Sequence, residues 1–126
     1  MQINQPDALA ELTAAFMSYE QAVVSGDIET LIRLFWDSPQ TLRYGTTEGE
    51  RHYSHAEIAQ FRRARGAVPL RRTLRNTRIV TYGRDYGTAD TEYLPQGCDR
   101  VGRQSQTWVR FAEGWRIVSA HVSFGV

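Results

Sequence analysis

Hydrophobic residues recur at steps of three and four through the first part of the chain. They are Leu9, Leu12, Phe16, Tyr19 and Val23. This spacing places them on one face of an α-helix, so it predicts an amphipathic helix over residues about 6–25. Pro6 suits the first turn of that helix, and Gly26 is a typical residue to end it.

Two shorter helices and a strand are predicted next. Asp27 can cap a helix whose apolar face carries Ile28, Leu31, Ile32 and Phe35. A short strand is expected at residues 41–44. Ser54 and Glu57 have the spacing of a capping box, which predicts a third helix that ends near Gly66.

From residue 70 onward, polar and apolar positions alternate, and β-branched and aromatic residues become frequent. Strands are therefore expected over residues of about 70–82, 86–94, 102–111 and 115–124. Glycine-containing turns separate them. Helices followed by a long antiparallel meander predict an α+β fold with segregated layers, and the length predicts a single domain over residues 1–126.

Charge composition changes the picture in one respect. The 126-residue chain has 15 positive and 14 negative residues and a net charge of +1, which favours neither a nucleic-acid partner nor a membrane partner. Every positive residue is arginine. The absence of lysine excludes Schiff-base chemistry, Ser-Lys dyads and a lysine base, because guanidinium keeps its proton at usable pH. Arginine instead binds carboxylates.

The chain has one cysteine, Cys98, so no intrachain disulfide is possible. Its first residues, MQINQPDALAEL, lack the basic end and apolar core of a signal peptide, and no apolar run approaches the length of a transmembrane helix. These features predict a cytoplasmic location.

Familiar catalytic motifs are missing from the sequence. His52, His55 and His121 have no metal-ligand spacing with one another or with Cys98, so we expect no metal site. There is no nucleophile elbow and no glycine-rich phosphate loop, and no cofactor is expected. Any chemistry must use tyrosine, arginine, histidine or a carboxylate.

Tyr19 and Arg43 are the first candidate site residues. Tyr19 lies on the apolar stripe of the first helix, where a phenol can donate a proton to a ligand at a pocket wall, although periodicity alone favours an ordinary core tyrosine. Arg43 lies in the middle of the short strand. It is either a fixed partner for an acidic ligand or a group that faces water or pairs with an acid such as Glu20.

A second group of candidates lies on the strand at 102–111. Gln104, Gln106 and Trp108 share one face of it and could supply hydrogen bonds and an apolar wall to a small polar molecule. A packed sheet face is the alternative interpretation. His121 and Ser123 are expected on the same face as Trp115 and Ile117.

Arginines are dense in FRRAR at 61–65 and in the strand at 70–78. Neither segment has aromatic stacking positions or a nucleic-acid motif, so both are predicted to be solvated faces. Arg65 and Arg72 could still contact the second carboxylate of a substrate. Aromatic residues on the convex side of the sheet need covering, so a homodimer is expected.

The closing hairpin GRQSQTWVRFAEGWRIVSAHVS, at 102–123, resembles the end of a SnoaL-like domain. This superfamily includes ketosteroid isomerase and nuclear transport factor two. The resemblance implies a cone-shaped, cystatin-like fold, in which three N-terminal helices pack on a strongly curved antiparallel sheet that encloses a pocket.

A closer resemblance runs nearly from end to end. The segments MSYEQAVVSGDIETLIRLFWDSPQTLRYG, AQFRRAR, VTYGRDYGTADTEY and GRQSQTWVR resemble the AtzH-like family, small proteins encoded beside amidase genes of cyanuric acid breakdown. The family implies conversion of dicarboxyurea to allophanate without a metal. It also implies catalytic roles for a helix tyrosine and a first-strand arginine, which match Tyr19 in SYE and Arg43 in LRYG.

Several functions stay open at this point. Loss of the carboxyl group could proceed by hydrolysis or by decarboxylation. The chain could instead be a noncatalytic partner of an amidase subunit or a binder of a carboxylated metabolite, since fold alone does not decide function. An isomerase or dehydratase would need a carboxylate base, for which Glu20, Asp90 and Glu92 are the candidates.

Overall fold

The computed structural model describes residues 1–125, and its helices begin and end close to where the sequence predicts. They are α1 Pro6–Ser25, α2 Ile28–Leu34 and α3 His55–Arg65. Gly26 ends α1 with a left-handed φ of 75°. Asp27 caps α2 by accepting from the Thr30 backbone N–H at 3.2 Å, and Ser54 caps α3 by accepting from the Glu57 N–H at 3.1 Å.

Within residues 1–125, six strands form one sheet. They are β1 Leu42–Tyr44, β2 Arg51–His52, β3 Arg72–Tyr82, β4 Tyr86–Pro95, β5 Gly102–Phe111 and β6 Gly114–Phe124. Their order across the sheet is β2-β1-β6-β5-β4-β3. The predicted α+β fold, with three helices packed on a sheet, is confirmed, and β2 is an addition that the sequence pattern did not predict.

The expectation of a wholly antiparallel sheet is wrong at one place. The short strand β1 pairs in parallel with β6, with Arg43 opposite Ala120. Strands joined by a tight turn must run antiparallel, but a long stretch of chain separates β1 from β6, so no turn constrains their direction. The sheet is therefore mixed.

The core lies between the helices and the inner face of the sheet. Leu12 and Phe16 of α1 are fully buried in it, together with Trp108 of β5 and Ile117 of β6. The helix presents one apolar stripe and each strand presents alternate residues, so the two periodicities meet in a single cluster.

A β-bulge in β6 decides which of its residues face inward. Thr107 pairs with Ser119 but Trp108 pairs with Ile117, so Val118 is the extra residue. One inserted residue reverses the alternation of side chains beyond it. Ala120 is consequently buried, and His121 is exposed on the outer face. The prediction that His121 and Ser123 share the face of Trp115 and Ile117 is wrong for this reason.

The outer face of the sheet carries an aromatic cluster at its β1 and β2 edge. The Tyr44 ring lies 6.1 Å from Tyr53 and 5.7 Å from His121, and Tyr53 is 53 % exposed. Homodimer formation through this convex face stays a prediction from the sequence. None of the helices in residues 1–125 has the length and apolar content needed to span a bilayer.

Gly102 provides a test of the packing around the β4 and β5 pair. A Cβ at this position would collide with the Tyr93 ring, which is fixed by a hydrogen bond from its hydroxyl to the Ser123 carbonyl at 3.1 Å. We expect Gly102→Ala to lower the free energy of unfolding by about 1–3 kcal/mol, the usual cost of overpacking. Urea unfolding would measure it.

Gly49→Ala is the matched control. A Cβ at Gly49 would have no neighbour within 4 Å, so we expect its free energy of unfolding to stay within about 0.5 kcal/mol of the wild type. Equal stability of the two variants would contradict the packing described here.

Candidate functional site

A pocket of about 800 Å³ opens between α1, α3 and the inner face of the sheet. It is rich in positive charge. Among the described residues that line it are five arginines and a single carboxylate, Glu50: the arginines are Arg43, Arg62, Arg65, Arg71 and Arg72. A shallower surface groove of about 810 Å³ lies beside the turn at 96–99 and shares Arg71 and Arg72 with the pocket rim.

Arg43 lies in the pocket wall and is 5 % exposed. Both of its terminal nitrogens lie 3.4 Å from Glu50 Oε1, and Nη1 is also 3.4 Å from His52 Nδ1. The guanidinium sits over the Phe61 ring at 5.3 Å. Its Nε–H has no acceptor among residues 1–125.

Charge and burial together set the pKa values of Arg43 and Glu50. Burial and then the nearby Arg62 guanidinium lower the pKa of Arg43 from its ordinary value. Burial alone would raise the pKa of Glu50, but hydrogen bonds from Thr47 and the charge of Arg43 hold it below its ordinary value. Glu50 is therefore an ionised counterion and a poor proton acceptor at neutral pH.

Tyr19 projects from α1 into the same wall and is 3 % exposed. Its ring packs edge-on against Phe35 at 6.2 Å, so it is a core tyrosine, and it also lines the pocket. Its hydroxyl oxygen accepts a hydrogen bond from Arg62 Nη2 at 3.3 Å. Tyr19 is thus both a core tyrosine, through its ring, and a pocket residue, through its hydroxyl.

Arg72 is already engaged within the protein. Its Nε and Nη2 donate to the two carboxylate oxygens of Glu20 at 3.0 and 2.7 Å, and Nη2 also donates to Gln104 Oε1 at 2.9 Å. Its guanidinium lies over the Tyr93 ring at 4.6 Å. Glu20 therefore neutralises Arg72 and not Arg43, whose partner is Glu50.

Three buried N–H donors in the pocket wall have no acceptor among the described residues. They are Arg43 Nε, Arg62 Nε and Gln104 Nε2. Buried donors are normally satisfied, and leaving one unpaired costs about 1–3 kcal/mol. A group of unpaired donors beside buried positive charge suits an anion with several acceptor oxygens, such as a carboxylate.

The structure separates the predicted group on β5. Gln104, Gln106 and Trp108 share one face, but only Gln104 lines the pocket. Trp108 is fully buried and its indole N–H donates to Gln106 Oε1 at 3.0 Å. Residues two apart on a strand are about 7 Å apart, so β5 passes from the pocket into the core within this group.

The candidate bases for isomerase chemistry are poorly placed. Glu20 is held by Arg72, and Glu92 accepts from Arg75 and Asn76 on the exposed side of the sheet. Asp90 lies two residues before Glu92 on β4, so the two residues are on the same face of the sheet. Within residues 1–125, histidine, cysteine and carboxylate side chains form no group of three or more that could share a metal ion.

Sequence reasoning did not single out Glu50 or Arg62 as site residues. Glu50 lies in a loop without periodicity, so no signal pointed to it. For Arg62 there was a signal, because it follows Ile58 by four residues and so lies on the buried face of α3. The signal was missed because the neighbouring arginines made the whole segment look solvent-exposed. Arg65, which was predicted, is exposed at the pocket rim.

The contact between His52 and Arg43 predicts a pH dependence of stability. Burial and then the Arg43 charge lower the pKa of His52, whereas an unfolded histidine titrates near about 6.5. The unfolded state thus takes up the proton first, so this contribution to stability is complete above about pH 6.5 and is lost as pH falls through the lowered pKa. We expect the free energy of unfolding to drop between about pH 7.5 and 5.5, and to drop less in His52→Gln.

Urea unfolding at the two pH values measures this difference. The window stays above the ordinary titration range of carboxylates, so Glu50 does not interfere. His55 and His121 are present in both proteins and cancel in the comparison. The same drop in wild type and variant would show that His52 is not the group responsible.

Two solved structures are similar to this chain over nearly all of both proteins. A protein of unknown function from Pectobacterium atrosepticum is 50% identical, with a TM-score of 0.92 and coverage of 98% of this chain and 95% of that one. A cystatin-like fold protein from Burkholderia xenovorans is 42% identical, with a TM-score of 0.91 and coverage of 100% and 98%.

More distant structures share only the fold. An NTF2-like protein of unknown function from Pseudomonas putida is 16% identical, with a TM-score of 0.77 over 93% of this chain and 86% of that one. A comparison with curated proteins found no match. The model of one family, described as AtzH-like, matches residues 1–125. The chain, with its cystatin-like, NTF2-like fold, therefore belongs to the AtzH-like family.

Proposed function

We propose that this protein is an enzyme that removes an N-carboxyl group from a carboxylated urea and converts dicarboxyurea to allophanate. The observation that carries the proposal is the pairing of a pocket-wall phenol, Tyr19, with buried guanidinium N–H groups that have no acceptor among residues 1–125. Membership of the AtzH-like family supports the choice of substrate.

Carboxylate binding is the first task of the site. In the proposal, one carboxylate of the substrate lies against Arg43 and the Gln104 amide, whose free N–H groups are buried in the wall. The second carboxylate reaches the rim, where Arg65 and Arg71 are exposed. Neither forms an ion pair with a carboxylate of residues 1–125. Arg72, held by Glu20, shapes the wall.

Proton transfer is the second task. The Tyr19 hydroxyl gives its proton to the urea nitrogen that carries the carboxylate, the bond between that nitrogen and the carboxyl carbon breaks, and its electron pair stays on nitrogen. Carbon dioxide and allophanate are the products, and solvent returns a proton to Tyr19. A hydrolytic route would need a base to activate water. Glu20 and Glu50 are held by arginines, which favours direct loss of carbon dioxide.

A noncatalytic binding protein is the second candidate. The same unpartnered donors would hold a carboxylated metabolite without any chemistry, for use by an amidase partner. The two proposals differ in one measurement, which is release of carbon dioxide from dicarboxyurea by purified protein compared with the spontaneous rate. Release at the spontaneous rate, with the compound still bound, would favour the binding protein.

Tyr19→Phe tests the proton donor. The variant keeps the ring that packs against Phe35 and removes only the hydroxyl, so folding and most of the substrate affinity should be kept. We expect turnover to fall by roughly a hundredfold or more, the usual scale for losing a general acid. Tyr86→Phe, on an exposed ring, is the control. Near-normal turnover in folded Tyr19→Phe would leave Tyr19 as core packing alone.

Arg43→Lys tests the carboxylate grip. An ammonium keeps the charge beside Glu50 but has no counterpart of the unpaired Arg43 Nε–H, so we expect a folded protein whose turnover falls by about tenfold or more. Circular dichroism and carbon dioxide release measure the two properties. Arg51→Lys, at an exposed position on the neighbouring strand β2, should behave as wild type. Full activity in Arg43→Lys would mean that charge alone suffices.

A further inference from the structure

Arg62 is a buried guanidinium with no carboxylate partner among the described residues. It is 7 % exposed, and it forms no ion pair with any carboxylate of residues 1–125. Its neighbour Arg63, by contrast, is exposed and pairs with Glu29 at 3.0 Å. Burying a charge without a counterion is costly. Arg62 therefore sits in a position that packing and stability do not favour.

The polar partner of Arg62 is the phenol. Nη2 of Arg62 donates to the Tyr19 oxygen at 3.3 Å, across 43 residues of sequence. A phenol oxygen that accepts from a guanidinium cannot point its own hydrogen back at that donor. Since Tyr19 lines the pocket, its hydrogen is free to point toward a ligand there. The contact therefore favours a donor role for Tyr19.

Arg62 also lies where negative charge would form. When Tyr19 gives up its proton, the oxygen becomes a phenolate, and a guanidinium already bonded to it stabilises that charge without any rearrangement. Arg43 is a second cation in the same wall, close enough for Arg62 to lower its pKa. Arg43 has a counterion in Glu50, whereas Arg62 has Tyr19.

We infer that Arg62 is the positioning residue of the reaction: it orients the Tyr19 hydroxyl as a proton donor and holds the phenolate formed after transfer. This inference rests on the proposed function. The proton moves from the Tyr19 oxygen to the substrate nitrogen as the bond from that nitrogen to the carboxyl carbon breaks. The phenolate later recovers a proton from solvent. Arg62 remains protonated throughout.

A double-mutant cycle tests the inference. Arg62→Met replaces the guanidinium with an apolar side chain, and Tyr19→Phe removes the group through which Arg62 acts. We expect Arg62→Met to lower kcat by about ten- to a thousandfold and to raise KM by a smaller factor, because the Arg62 Nε–H is also one of the unpaired donors of the wall. In the Tyr19→Phe background, the same substitution should change kcat by less than about twofold.

Two matched variants complete the design. Arg63→Met removes the adjacent, exposed arginine of the same helix and should leave kcat and KM unchanged. Arg62→Lys keeps a charge beside the phenol, so it should recover part of the kcat lost in Arg62→Met. If Arg62→Met fails to fold, Arg62→Lys takes its place in the cycle. A larger KM in both backgrounds, with kcat unaltered, would mean that Arg62 binds substrate directly and would overturn the inference.

A cycle measured on stability separates this inference from the proposed function. If wild-type protein turns over no dicarboxyurea, the proposed function fails, but the contact between Arg62 and Tyr19 can still be measured by urea unfolding of the same four proteins. Loss of the Tyr19 hydroxyl should lower the free energy of unfolding more in wild type than in Arg62→Met, because Arg62 Nη2 donates to that oxygen. Additive losses in the four proteins would show that Arg62 does not act through Tyr19.

Discussion

The burial of guanidinium groups along one wall of the pocket is the constraint on which the rest of the site depends. Arg43, Arg62 and Arg72 each have a buried charge that would be unfavourable alone. Glu50 compensates the first and Glu20 the last, at 2.7 Å, while Arg62 bonds to a phenol. The wall keeps more positive charge than its own carboxylates neutralise, and this excess is what an anionic ligand can use.

Each of these contacts joins distant parts of the chain. Glu50 reaches Arg43 from a loop that is closed by hydrogen bonds from Thr47, and Arg43 itself is positioned by the parallel pairing of β1 with β6. Glu20 comes from α1, whereas its partner Arg72 begins β3. Breaking one ion pair would leave a buried charge and loosen two elements together. Binding and folding therefore depend on the same side chains.

The sequence predicted the elements better than it predicted the contacts between them. Periodicity found the three helices and the four long strands because each buries one face. It put Tyr19 on an inward position, but it left the direction of Arg43 open. It could not find the parallel direction of β1, which depends on a long connection, or the bulge at Val118, which reverses His121 and Ser123.

The limits were the same at the site. One face of β5 presents Gln104, Gln106 and Trp108, as expected. Only Gln104 lines the pocket and the other two belong to the core, because alternation shows which face a residue is on but not how far along the strand the pocket extends. Glu50 lies in a loop that no pattern describes. Arg62 had helical spacing from Ile58, but the many arginines at 61–65 led to the prediction that the whole segment faces solvent.

The uneven distribution of arginines bears on how the proposed reaction ends. In the proposed function, one carboxylate of dicarboxyurea binds the buried wall at Arg43 and the other binds the exposed rim at Arg65 and Arg71. Allophanate keeps a single carboxylate. A charge-assisted hydrogen bond contributes about 1.5–3 kcal/mol, so losing one end weakens binding by roughly ten- to a hundredfold for each such bond. In the proposed reaction, the chemical step therefore weakens the binding of the product that it forms.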